Sequence, residues 1–137
     1  QAVTTNSTTA NLTGVGYRSL ASATGIENTA VGAYSQEDTA AGTSNTSVGY
    51  ISLYQNHAGD GNTAVGRAAL QNNTTADHNT AIGYNCLQTL AVGANSVGAG
   101  AFALSNSTAS RNVALGYTAM LLEVIVEMLL GQATAML

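Results

Sequence analysis

The amino-acid sequence predicts an all-β chain wound as a parallel β-solenoid with coils of about 17 residues. Three observations carry that expectation. A short motif, Asn-Thr-Ala-Val-Gly, recurs at a near-constant interval; within it β-branched residues alternate with small ones; and the 137 residues contain no proline. A fixed short period means that each unit repeats one piece of structure and stacks on its neighbours.

The copies run Asn28-Thr29-Ala30-Val31-Gly32, Asn45-Thr46-Ser47-Val48-Gly49, Asn62-Thr63-Ala64-Val65-Gly66, Asn79-Thr80-Ala81-Ile82-Gly83 and Asn112-Val113-Ala114-Leu115-Gly116. With Gly16 and Gly100 added, the motif glycines lie 16, 17, 17, 17, 17 and 16 residues apart. Residues 1–11 read as a lead-in, 12–120 as solenoid repeats and 121–137 as an irregular last coil. The first copy has Leu12 in place of Asn, and the copy ending at Gly100 has Ser96 and Gly98-Ala99, so irregular coils are expected there.

Alternation along the motif is the pattern of a short strand, with Thr63 and Val65 on one side and Asn62, Ala64 and Gly66 on the other. Helix is disfavoured, because Thr and Val stand beside Gly in every unit and no apolar spacing of three and four persists. A coil of this length has no room for a strand, a helix and two turns, so two short strands joined by tight turns are expected. Coils about 4.8 Å apart then pair backbone to backbone, a ladder that proline would interrupt.

That register stacks like residues into columns. Val15, Val31, Val48, Val65, Ile82, Ala99 and Leu115 precede the glycines and are expected to form one core column; Leu20, Leu53, Leu70, Leu87, Leu104 and Met120 form a second. Asn28, Asn45, Asn62, Asn79 and Asn112 are expected to stack at a turn, where amides bond along the axis and Asn tolerates left-handed backbone angles. Tyr17, Tyr50, Tyr84 and Tyr117 follow the glycines and line one side. Such an aromatic row on a thin rod points to contact between chains.

Composition narrows the function classes. The net charge is -4, only 7% of residues are charged, and the cations are Arg18, Arg67 and Arg111, so a phosphate-binding surface for nucleic acid is not expected. No run reaches the roughly 20 apolar residues of a membrane-spanning helix, and no membrane insertion is expected. Cys86 reads as a small packed residue. The chain begins at Gln1, as a mature secreted product or a piece of a longer polypeptide would.

The stretch Asn62 to Leu70, the linker Gln71 to His78 and the restart at Asn79 resemble the repeats of bacteriophage tail fibre proteins. They are also similar to the head repeats of trimeric autotransporter (YadA-like) adhesins, whose Asn-Ser-Val-Ala-Ile-Gly motif has a shorter period. The resemblance spans about Leu12 to Gly116 and implies a homotrimeric, left-handed parallel β-roll or β-helix shaft used for attachment.

Leu121 to Leu130 match no other linker. Read directly, they form an apolar terminal strand or helix that caps the solenoid or joins subunits. A codon set also exists for Leu122 to Leu129 that, with one preceding G, spells Ala-Gly-Ser-Asp-Ser-Gly-Asn-Val in the shifted frame. That is a linker and motif of the regular kind, so the segment is expected to be a frameshifted coil, which the nucleotide sequence tests.

Catalysis needs converging titratable groups, and none is expected here, nor a cofactor. His57 with Asp60, and Asp77 with His78, are better read as solvated turn residues than as a metal site. The expectation is therefore a non-catalytic fibre or adhesin shaft or head, assembled from three copies of itself, extracellular or on a virion, or on a bacterial surface, and projecting toward a cell-surface receptor or glycan. The alternatives are a secreted solenoid subunit that polymerises end to end, and an ice-binding solenoid presenting Thr29, Thr46, Thr63 and Thr80.

Overall fold

The computed structural model describes residues 11–120. Residues 1–10 of the expected 1–11 lead-in and the irregular coil at 121–137, with its frameshift reading, lie outside the described residues. Seven three-residue strands follow one another in sequence: β1 (Thr13–Val15), β2 (Thr29–Val31), β3 (Thr46–Val48), β4 (Thr63–Val65), β5 (Thr80–Ile82), β6 (Val97–Ala99) and β7 (Val113–Leu115). They form one parallel sheet in the order β1 to β7. Pairing is in register, with Thr46 beside Thr63 and Val48 beside Val65. The chain is thus a parallel β-solenoid of about six coils, numbered here so that each starts at a motif glycine: coil 1 at Gly16, coil 2 at Gly32, coil 3 at Gly49, coil 4 at Gly66, coil 5 at Gly83 and coil 6 at Gly100.

Each coil contributes one strand, not the two expected. The reason lies in the turns, which use left-handed backbone at three places per coil. The second residue after the glycine does so (Ile51 at φ 51°, Phe102 at 60°), as does the fourth (Leu53 at 49°, Leu70 at 48°) and the residue before the motif Asn (Ser44 at 57°, His78 at 56°). Three such reversals leave only the Thr-Ala-Val segment extended. Backbone pairing continues through the turns regardless: Leu53 N–H donates to Ala69 O at 2.9 Å and Gln55 N–H to Gln71 O at 2.9 Å. The coils therefore stay stacked where no strand exists.

The interior is assembled from the opposite parity to the one expected. Val15, Val31, Val48, Val65, Ile82 and Leu115 do not form a core column; they face outward, from 36% exposed at Val65 to 70% at Leu115. The inward residue of each strand is the middle one: Ala30, Ser47, Ala64 and Ala81 are fully buried, and Ala114 nearly so. The cross-section explains why. Opposite the strand, Leu20, Leu53, Leu70, Leu87 and Leu104 fill the interior and are fully buried. The small middle residues Ala64, Ala81 and Ala114 pack in one cluster with the last four of these leucines, so the leucines fill the interior and the strand contributes only a methyl group to it.

The asparagine column is interior as well. Asn28, Asn45, Asn62 and Asn79 are fully buried, and the left-handed residue is the one preceding each of them, not the Asn. Asn62 Oδ1 accepts the backbone N–H of Asn79 at 3.0 Å, and Asn62 Nδ2 donates to Ala76 O at 2.9 Å. Asn45 repeats this with Asn62 and Gly59 at 2.8 and 2.9 Å. The ladder passes through Ser96, whose N–H donates to Asn79 Oδ1 at 2.8 Å, and reaches the half-buried Asn112 through Ser96 Oγ at 3.2 Å. Asn45 and Asn62 thus each satisfy two backbone groups at the corner of the next coil, one N–H and one carbonyl, which a buried corner requires.

The motif glycines mark where successive coils touch. Gly49 has φ +139°, and a Cβ there would lie 2.5 Å from Gly66 O. Neither the angle nor the space admits another residue.

Candidate interaction face

The outward side of the sheet carries two parallel rows. Val15, Val31, Val48, Val65 and Ile82 make one; Thr13, Thr29, Thr46, Thr63 and Thr80 make the other, exposed or half-buried along the face. Val97 and Val113 continue the threonine row, so the upper end of the face is wholly aliphatic. In-register parallel pairing repeats these side chains at the strand spacing of about 4.8 Å. The result is a narrow, ordered, largely apolar strip on a small protein.

Beside this strip runs an aromatic ridge. Tyr17, Tyr50, Tyr84 and Tyr117 are exposed along it, and the structure adds three members that their spacing had hidden: Tyr34, Phe102 and Arg67. Tyr17 meets Tyr34 edge to face at 5.3 Å and Tyr34 meets Tyr50 at 5.9 Å. Tyr84 meets Phe102 at 5.1 Å and Phe102 meets Tyr117 at 6.1 Å. Arg67 joins the two groups, its guanidinium 5.7 Å from the Tyr50 ring and 5.3 Å from the Tyr84 ring; it also donates to Tyr84 Oη at 3.1 Å.

Tyr34 and Phe102 stand one residue later than the other tyrosines, after Ala33 and Ala101. That shift is what allows edge-to-face contact. Rings at identical positions would be stacked directly by the register, whereas a one-residue offset turns alternate rings. The signal was present in the sequence as an aromatic that changes column when the residue after the glycine is Ala.

The far edge of the coils carries polar ladders. Asp60 Oδ1 accepts from Thr43 N–H at 2.7 Å and Thr43 Oγ1 at 2.9 Å, and Asp77 Oδ1 accepts from Asp60 N–H at 2.8 Å. His57 Nε2 lies 3.4 Å from Asp38 Oδ2 of the preceding coil. Among the described residues no group of three or more His, Cys, Asp or Glu could hold a metal ion. Cys86 is buried, and burial pushes its thiol up to about 11, opposed by a backbone hydrogen bond at Ile82. It is protonated near neutrality and is not a nucleophile there. No helix among the described residues is long and apolar enough to cross a membrane.

Architecture and face together define a repeat protein of the parallel β-solenoid class. Comparison with family models, with curated proteins and with solved structures gives no match.

Proposed function

We propose that the chain is a non-catalytic structural rod that assembles with two further copies of itself and serves as the shaft or head of an attachment fibre, at an extracellular or virion surface. The observation that carries this reading is the outward Val column. Unbroken aliphatic strips rimmed by aromatic and polar residues mark surfaces that another macromolecule covers. A rod presenting identical side chains along its axis is matched best by another rod with the same repeat, and closed rotational packing covers the strip without leaving a growing end. The likeness of the Asn62–Leu70 repeat to tail fibre and trimeric adhesin repeats supports the same reading, which also extends to a bacterial cell surface and to a receptor or glycan as the target.

The native mass tests this proposal. A species near three times the 13.8 kDa chain is expected, and Val48→Asp with Val65→Asp should reduce it to one chain while the far-ultraviolet spectrum is retained. A wild-type monomer at high concentration overturns the trimer. Open-ended filaments favour axial polymerisation instead.

A second reading is favoured by the inverted parity. Because Val faces out, the threonines of the same strands face out too, and Thr29, Thr46, Thr63 and Thr80 present hydroxyl and methyl groups in a regular array. Such a face can order water on an ice plane. A monomer showing thermal hysteresis, lost in Thr46→Lys with Thr63→Lys, selects this reading over the fibre.

A further inference from the structure

Coil 2 differs from the other coils on the inside. Where coils 1, 3, 4, 5 and 6 place a leucine, it places Gln36, fully buried. Gln36 Nε2 donates to Thr29 O at 2.9 Å and to Ser47 Oγ at 2.9 Å. Ser35 Oγ lies 2.5 Å from Ser47 Oγ and 3.0 Å from Ser52 Oγ. The apolar interior is consequently divided. Leu20, Ala23 and Ala30 form one cluster with Leu12 against it, while Leu53 through Leu104 and Ala114 form another, spanning coils 3 to 6.

The polar layer is also incompletely satisfied. Gln36 Oε1, Glu37 Oε2 and Thr39 Oγ1 on coil 2 are buried without a hydrogen-bond partner, against one such atom each on coils 4 and 5, Asn73 Oδ1 and Asn85 Oδ1. A buried polar group left so costs on the order of 1–3 kcal/mol. Beyond the common backbone and asparagine ladders, coil 1 is tied to coil 2 by polar and rim contacts: Gln36 Nε2 to Thr29 O, half-buried, Arg18 to the buried Glu37 at 2.6 Å with Arg18 half-exposed, the Tyr17–Tyr34 edge contact, and Ser44 Oγ donating to Glu27 at the surface at 3.1 Å. The exposed Ser44–Glu27 contact contributes little, and none of these ties is the shared aliphatic core that joins coils 3 to 6. At the other end, coil 6 is bonded to coil 5 through the same ladders and shares its leucine cluster.

We infer that the polar layer makes coil 1 a separable unit, which opens while coils 3 to 6 remain folded. In a stacked repeat protein stability is a sum of coil and nearest-neighbour terms, so one weak interface sets where the stack parts. Coil 1 lacks the continuous apolar contact that binds every coil above coil 2. Its opening is a property of the core, not of being terminal, since coil 6 lies at the other end of the described stack with its core unbroken.

Native-state hydrogen exchange tests this on the intact chain. Leu20 N–H and Ser22 N–H bond to coil 2, and their counterparts Leu87 N–H and Thr89 N–H bond to coil 6. The first pair is expected to exchange at least about tenfold faster than the second through an opening that leaves the second pair protected. In a variant carrying Ser35→Ala, Gln36→Leu, Ser47→Ala and Ser52→Ala, the residue types other coils use, the difference should fall to within about twofold. Equal protection in the wild type overturns the inference, and so does a difference that persists in the variant. If the fourfold variant does not fold, Gln36→Leu with Ser47→Ala alone is read by the same two amide pairs.

Discussion

Cys86 Sγ occupies the space that a side chain at position 98 would need: a Cβ built on Gly98 would lie 2.6 Å from it. Both residues belong to coil 5, one across the interior from the other. In coil 4 the equivalent pair is Ala69 and Ala81, each fully buried. Coil 5 thus replaces two methyl groups by a thiol and a hydrogen.

Gly98→Ala is therefore expected to destabilise the protein by about 1–3 kcal/mol through overpacking. Cys86→Ala in the same chain should recover most of that loss, because the next atoms, Leu87 Cγ and Ala103 O, stand off at 3.4 and 3.5 Å. Urea midpoints of the two single variants and the double variant measure the coupling. Additive losses would show that the two side chains do not share this space.

The same thiol makes stability depend on alkaline pH. Its folded pKa is raised by burial from 9.0 to about 11. The unfolded chain therefore releases this proton first, and above the ordinary thiol pKa it binds fewer protons than the folded chain does. The stability from the protonated, buried thiol is complete below about pH 9 and is lost as the pH rises toward 11, by up to about 2 kcal/mol. Unfolding midpoints across that window should fall in the wild type and fall less in Cys86→Ala.

Parity can be read by two alanine substitutions in one coil. Leu70 is fully buried and Val65 is 36% exposed. Leu70→Ala should cost about 2–5 kcal/mol, whereas Val65→Ala should cost under about 1 kcal/mol when measured on dissociated chains. A larger loss at Val65 under those conditions would contradict the outward placement.

Ile51 is a β-branched residue in left-handed backbone at φ 51°, a position filled by Asn85 two coils later at 52°. Asn adopts this region with less strain. Ile51→Asn is expected to raise stability by about 0.5–1 kcal/mol in thermal unfolding, despite the loss of a half-buried aliphatic group.

Much of the fold is legible in the sequence because its information is periodic. The glycine spacing specifies coil length, and the lack of proline is compatible with an unbroken ladder. Leu20, Leu53, Leu70, Leu87 and Leu104 read as interior from their recurrence and are fully buried. The column of Val31, Val48 and Val65 is misread for a physical reason. Alternation identifies two faces but carries no sign, and large aliphatic residues are ordinarily assigned inward. Asn62 illustrates the converse, a polar residue placed inside because each of its amide groups meets a backbone partner there.

The candidate face divides in the same way. Tyr17, Tyr50, Tyr84 and Tyr117 stand out as a column, but Tyr34, Phe102 and Arg67 belong to the ridge only through contacts across coils. A one-residue offset looks like a broken repeat until the rings are seen edge to face.

By itself, the sequence determined that coils of near-constant length stack in parallel and that like residues fall into columns, since both follow from the period. Only the tertiary structure decided which columns are inside. The leucines occupy the interior of so short a coil and pack against the small middle residue of each strand, so burying that residue puts the Val and Thr on either side of it outward.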